Sequence, residues 1–472
     1  MSEQSRRKIA IVGGGAGGVL LASALTRSGP VLFDVVLVDP RPGRGLAYGV
    51  SDDAYLLNTR AGAMSLDPGS PSGFVDWLNT CRPAAEPWNA ADFAPRRLYG
   101  DYLEARLGDL SRRTPGLGST CVLAGRVKAI SRQEDGWSLL LASGERLEAD
   151  AVVLATGPAR PRRLVFNGRI DLEAYVQDDP WDEAALRSAR AGGEVLIAGA
   201  GLAFADTAAA LWRQNPEIRV VAVSRHGLPP RIHGEEGAGD PVFARGYATT
   251  ARELHTRLVN AAGLIEDDPE IRPSRLAELR PHGGRVWAAL EPDERQMFLR
   301  HFRAYWEVER HRLPPALGET LREAQRQGRL ELVRGRIAEA KPLRDGSGAR
   351  VALVTHAGPR ALTVRRVINC TGPEEDPYRS QNPALLDLLA QGLASADELG
   401  LGLRVLEDAT AIAADGRPTP GLYALGGLTR GRFFEVSGLP EIRAQAFALA
   451  EVLAAAPQQT KARSLAPAAN AN

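Results

Sequence analysis

Residues 13–18 read Gly13-Gly14-Gly15-Ala16-Gly17-Gly18, directly after an apolar run over 8–12 and before a helix-favouring stretch over 19–27. In such a turn Gly13 permits the sharp reversal, Gly15 lets backbone approach a pyrophosphate, and Gly18 lets helix and strand pack closely, while the helix N-terminus offers N–H donors to the anion. Asp39 follows Gly18 by 21 residues and closes a second apolar run over 35–39, where a carboxylate accepts ribose hydroxyls. A second unit begins with the apolar run 194–198, turns through Gly199-Ala200-Gly201, and continues as a helix over 202–213 and a strand over 219–223. Phe204 stands where the third glycine would be, and its bulk is expected to hold the helix off the strand. Ser224-Arg225 replaces the acid. An Arg there suits the 2′-phosphate of NADPH, which a carboxylate would repel.

Composition narrows the field. The 472 residues carry 58 Lys and Arg against 57 Asp and Glu, a formal net charge of +1, so no long-range field gathers nucleic acid or anionic lipid. No apolar stretch approaches the ~20 residues of a membrane span. Cys81, Cys121 and Cys370 are far apart and never form Cys-x-x-Cys, which argues against disulfides, zinc and a dithiol redox centre. No metal is expected. Residues 6–8 are basic, but no cleavage site follows the apolar run, so the chain reads as cytoplasmic. Only Lys8, Lys128, Lys341 and Lys461 are lysines; the other 54 basic residues are Arg, so an Arg beside a motif carries little weight by itself.

The elements that must position these turns form an α/β chain of two Rossmann-like dinucleotide-binding domains with a helical insertion in the second. The expected division is 1–165 for the first part of the first domain, 166–365 for the second domain with its insertion at about 227–315, 366–455 for the return to the first domain, and a disordered tail over 456–472. Two apolar runs end in matching turns, Thr156-Gly157 and Thr371-Gly372, as where a chain crosses between nucleotide domains and returns. Trp287, Tyr305 and Trp306 of the insertion are expected in its core or in a pocket wall.

Residues 43–49 (GRGLAYG), 56–58 (LLN), 224–230 (SRHGLPP), 310–312 (RHR), 368–373 (INCTGP) and 440–443 (PEIR) resemble the bacterial FAD/NAD(P)-binding proteins over residues 7 to about 452. The double-dinucleotide fold is more distantly similar to class B flavin monooxygenases and amine N-hydroxylases. The resemblance implies FAD in the first unit, held by Gly13, Gly15, Gly18 and Asp39, with Arg44 over the adenine side. It implies NADPH on the second unit, at Gly199, Gly201, Ser224 and Arg225. It puts Asn58, Met64, Ser65 and Asp67 beside the isoalloxazine, Thr156, Gly157, Thr371 and Gly372 at the domain crossings, and Gly426 and Gly427 against the ribityl–pyrophosphate arm.

The expected function is an FAD-dependent, NADPH-reduced oxidoreductase with a small-molecule substrate. As a monooxygenase it takes molecular oxygen and acts on a small amine through a C4a-hydroperoxyflavin steadied by Asn58. Electron transfer to an organic acceptor and a non-catalytic FAD-binding sensor stay open. His311 and Arg312, beside Arg310, are candidate catalytic residues able to hold a carboxylate or the nicotinamide phosphates; His233 and Glu235 share this ambiguity. Partners are small molecules, with no nucleic acid and no membrane; a homo-oligomer is compatible with the sequence. The Phe-Gly-His signature of Baeyer–Villiger enzymes and a Phe-Ala-Thr-Gly-Tyr stretch are both missing.

Overall fold

The β-branched and Leu-rich runs read from the sequence become parallel strands buried on both faces, as strands covered by crossover helices must be. In the computed structural model, which describes residues 6–27, 33–112, 119–164, 175–182, 186, 192–234, 242–264, 270–277 and 279–456, six strands form the first sheet. Their order is Thr410–Ile412, Pro418–Ala424, Ala151–Leu154, Arg7–Val12, Phe33–Asp39, Ser119–Ala124. Val12 pairs with Val38 on one side and Leu154 on the other. Helix α1 (Ala16–Leu25) crosses this sheet and packs beside the closing helix. A three-stranded antiparallel sheet, Val127–Gln133, Gly136–Leu141 and Arg146–Ala149, stands apart.

The second sheet runs Gly358–Val364, Ala349–Thr355, Leu330–Pro342, Arg219–Ser224, Glu194–Ala198, Arg366–Asn369, Val176–Gln177. Its crossover helix is α2 (Leu202–Gln214). The strand Arg366–Asn369 pairs in parallel with Glu194–Ala198. This corrects the boundary drawn at 366: the strand completes the second domain, because its apolar side chains fill both faces of that sheet, and the return to the first domain comes after the Gly372 turn.

The insertion contributes its own core. Helix Ala251–Ala262 begins on a Thr250 cap and ends at Gly263, in the left-handed region at φ 60°. The stretch 285–305 is broken into Gly283–Ala289, Pro292–Met297, a π-helical turn Phe298–Phe302 and Arg303–Arg310. Trp287 and Trp306 are fully buried there. Trp287 stacks on Phe434 of the returning chain at 4.5 Å and donates to the Gly431 carbonyl, so the insertion is clamped onto the first domain. Across the seam between the nucleotide domains, Arg96 meets Asp206 of α2 at 2.9 Å, both largely buried. Burial pushes the Asp206 carboxyl up to about 6 against the pull of Arg96. Residues 457–472, which include most of the tail expected to be disordered, lie outside the described residues. Among the described residues no helix is long and apolar enough to cross a membrane.

Candidate functional site

Both glycine turns sit at the C-terminal ends of parallel strands, where open α/β sheets place their ligands. Gly13 has φ +111°, and a Cβ on it would stand 2.3 Å from the Ala155 carbonyl oxygen. Gly199 has φ +107°, with a Cβ 2.2 Å from that of Cys370. Each first glycine is thus pressed against the residue preceding a Thr-Gly turn, Thr156-Gly157 or Thr371-Gly372, so the two units repeat one construction. Gly18 is needed for contact of another kind, since a Cβ there would meet the Gly13 oxygen at 2.1 Å.

The middle glycines differ from these. Gly15 has ordinary extended dihedrals, and the single atom within 4 Å of a Cβ built on it is the Gly45 Cα at 3.5 Å. Gly201 is likewise extended and meets nothing within 4 Å. Neither Gly157, Gly372 nor Gly427 meets anything either. Gly157 and Gly372 need glycine for their φ of +69° and +94°, whereas at Gly15, Gly201 and Gly427 neither packing nor backbone requires it, which leaves a bare backbone cradle at the start of α1 and another at the start of α2. No side chain caps either helix and neither carries an acid in its first turn, so the N–H groups remain for an anion.

Around the first cradle, the Asp39 carboxylate accepts the N–H groups of Gly14 at 2.8 Å and Arg41 at 2.7 Å, which fixes it at the strand end. Arg44 is held by Asp101 at 2.5 Å and Glu104 at 2.7 Å. The Gly426 N–H donates to Gln445 of the closing helix α3 (Leu439–Ala455). Around the second, Ser224 Oγ accepts the Gly227 N–H, and Arg225 is exposed with no ion pair among the described residues.

Asn58 lies half-buried on a loop of the first domain that the second domain grips twice. The Asn58 carbonyl meets His233 Nε2 at 3.0 Å, and Arg280 donates to Thr59 Oγ1 at 3.1 Å. This long-range contact could not be read from a sequence separation of 175 residues. Met64 is packed in the first core and Ser65 is fully buried, its hydroxyl donating to the carbonyls of Asp67 and Ser70. Asp67 pairs with Arg27.

Other residues singled out in the sequence take definite places. Phe204 is fully buried in a cluster with Tyr55 and with Val195 and Ile197 of the strand, so its ring occupies the space beside α2. Arg312 is 6% exposed and donates to the carbonyls of Glu309 at 2.8 Å and Ala277 at 2.7 Å, tying helix to loop. His311 caps the last insertion helix, its N–H on the Glu307 carbonyl, and burial together with Arg310 lowers its pKa. Glu235 lies outside the described residues. Cys370 is buried and its thiol is pushed up to about 12, which removes it as a nucleophile.

The construction around Gly13–Gly18, with its strand, helix and partner turn, now has a counterpart to compare. Residues 10–159 match the FAD-NAD(P)-binding family model. Comparison of the sequence with curated proteins finds no match. Among solved structures, the chain is similar to the ornithine N-hydroxylase of Kutzneria sp. 744, with 18% identity, a TM-score of 0.61, and 95% of this chain and 99% of that one covered. It is similar to the cadaverine monooxygenase of Erwinia amylovora, solved with FAD bound, at 13% identity and TM-score 0.63 over 94% of each chain. It also resembles the L-lysine 6-monooxygenase of Pseudomonas syringae, at 18% identity and TM-score 0.61 over 94% of this chain and 98% of that one. At these identities the likeness establishes a shared double-dinucleotide fold along nearly the whole chain.

Proposed function

We propose that this chain is an FAD-dependent, NADPH-reduced oxidoreductase that acts as a monooxygenase on a small amine. The observation that carries the reading is the pair of side-chain-free cradles at Gly15 and Gly201, each on an uncapped helix N-terminus, inside a fold shared with amine-hydroxylating enzymes. Residues present fit both cofactors. Gly13, Gly15, Gly18 and the first turn of α1 would hold the FAD pyrophosphate, Asp39 its ribose, and Gly427 the ribityl arm. Gly199, Gly201 and α2 would hold the NADPH pyrophosphate, with Arg225 on the 2′-phosphate.

When bound, FAD supplies hydride acceptance from NADPH and activation of molecular oxygen. The protein's own part is position and electrostatics. Helix α1 aims N–H donors at the pyrophosphate, and α2 does the same for the reductant. Asn58 offers an amide from a loop whose backbone carbonyl is held by His233 of the second domain. The charged guanidinium of Arg225 distinguishes the phosphorylated nicotinamide from its unphosphorylated counterpart.

Two outcomes follow. Arg225→Ala raises the apparent Kd for NADPH roughly 10- to 100-fold, about 1.4–2.7 kcal/mol, and leaves NADH nearly unchanged; equal effects on the two in a flavin-reduction titration would make Arg225 scaffold. Asn58→Ala leaves the NADPH-driven reduction rate intact and diverts turnover from hydroxylated amine to hydrogen peroxide. The function itself is tested by supplying FAD, NADPH, oxygen and a panel of short amines and measuring hydroxylamine product against peroxide. NADPH oxidation with neither product formed, but with a quinone or similar acceptor reduced, would replace monooxygenation by plain electron transfer.

A further inference from the structure

A cavity of about 620 Å³ opens between α3, the loop before Thr410–Ile412 and the segment 280–284 of the insertion. Its volume is that of a small-molecule site. Neither glycine turn lines it; it adjoins the first cradle through Gln445, which accepts the Gly426 N–H, without being walled by either turn. Its body is apolar, built from Phe433, Val436, Ala444, Ala448, Leu449 and Val452.

The backbone around it is strained. Among the described residues, the non-glycine residues with positive φ are Ala409 at 66° and Phe434 at 55°. Ala409 lines the cavity, and Phe434 stands between two lining residues, Phe433 and Glu435. Such conformations persist where the surroundings over-determine them, and they cluster at binding sites. Here the Phe434 ring is fixed by stacking on Trp287, which turns Phe433 and Glu435 toward the cavity wall.

The charges sort by depth. Glu435 and Glu441 face the cavity, but Arg310 approaches them at 3.0 and 3.6 Å and Arg280 approaches Glu441 at 3.6 Å. This inner quartet is neutral overall. Glu407 and Asp408, in the outer wall, are exposed. The nearest cation to Glu407 is the exposed Arg432 at 3.8 Å, a separation that counts for little in water. Asp408 accepts the Thr410 N–H and forms no ion pair among the described residues. An apolar slot with two exposed carboxylates at its mouth, Asp408 without an ion pair among the described residues and Glu407 facing the exposed Arg432, selects one chemistry. A hydrocarbon body replaces water against the inner walls, and a cationic head remains at the rim between the two carboxylates.

We propose that this cavity is a binding site for an organic cation with an apolar tail, of the alkylammonium class, separate from the dinucleotide cradles. Glu407 and Asp408 hold the head; Val436, Ala448 and Val452 cover the tail. Anionic amphiphiles are rejected at the mouth, and Arg280, already engaged by Glu441 and Thr59, does not offer them a counter-charge.

The test is calorimetric titration of the FAD-supplied protein with n-octylammonium, n-octanol and octanoate. Octylammonium is expected to bind one per chain, with octanoate roughly tenfold weaker or worse. The double substitution Glu407→Gln, Asp408→Asn, confined to exposed side chains, should weaken octylammonium roughly tenfold and leave octanol unchanged. Ala448→Phe should weaken octylammonium and octanol alike by filling the slot. Octanoate binding as tightly as octylammonium overturns the proposal, as does an unaltered octylammonium affinity in the double variant, which would place the amine elsewhere, for instance at the oxidation site. Failure of NADPH to reduce the flavin would refute the function proposed above and leave this titration unaffected.

Discussion

Gly15→Val yields a folded but colourless protein. Gly15 already has dihedrals that a β-branched residue adopts, and the one atom near its missing Cβ is the Gly45 Cα at 3.5 Å, so the native chain tolerates the change. The volume it fills is the approach to the α1 N-terminus, and FAD binding should weaken by roughly 100-fold or more, about 2.7 kcal/mol. Gly18→Val behaves differently. There a Cβ would meet the Gly13 oxygen at 2.1 Å, and the helix must move off the strand, with overpacking costs of about 1–3 kcal/mol or more in a buried core. Thermal unfolding separates the two: Gly15→Val keeps the parent Tm in the absence of FAD and loses the stabilisation FAD confers, whereas Gly18→Val starts lower. If both variants lose Tm equally, the Gly15 position is structural and the cradle argument falls.

Arg96→Met is the second substitution with a large expected effect. It leaves Asp206 buried at the seam between the domains with its cation removed, a class of change that costs about 3–5 kcal/mol. The pH dependence has a definite sign. The folded-state pKa of Asp206 is raised to about 6 from 3.8, so the folded protein holds an extra proton between those values. The stability Asp206 contributes is present in full below the unfolded pKa and is lost as pH rises through about 6. Removing Arg96 raises the folded pKa further, so the variant is penalised more at pH 7.5 than at pH 5. The double variant Arg96→Met, Asp206→Asn recovers most of the loss, because the uncompensated charge is gone. Urea unfolding at the two pH values checks both statements; a loss independent of pH would mean that Arg96 acts through its packing over Trp181 at 5.3 Å rather than through Asp206.

Local features of this fold were open to reading from the sequence, and long-range ones were not. The strand, glycine turn, helix and acid of residues 8–39 follow one another in the chain, and each is specified by its own steric need. The same holds for the second unit, and for Trp287 and Trp306, whose size alone predicts burial. At Phe204 the sequence shows a missing glycine but not the side chains that surround the ring, which include Tyr55 and Ile197. The sequence places Arg312 beside a histidine but does not show that the carbonyls of Ala277 and Glu309 take two of its donors. The strand at 366–369 was assigned to the wrong sheet because its apolar run suits either. The tethering of Asn58 by His233, and the cavity walled by Arg280, Asp408 and Val452, bring together residues more than 40 positions apart whose types carry no mutual signal.

The central claim is that one chain holds an oxidised flavin on its first glycine turn and accepts reducing equivalents from a nicotinamide on its second. Anaerobic rapid mixing of the FAD-loaded protein with NADPH tests it most directly, by following the visible flavin absorbance. The account predicts a yellow protein with one FAD per chain that bleaches on mixing, faster with NADPH than with NADH. A protein that stays colourless in excess FAD, or a yellow one that neither nicotinamide bleaches, would contradict it.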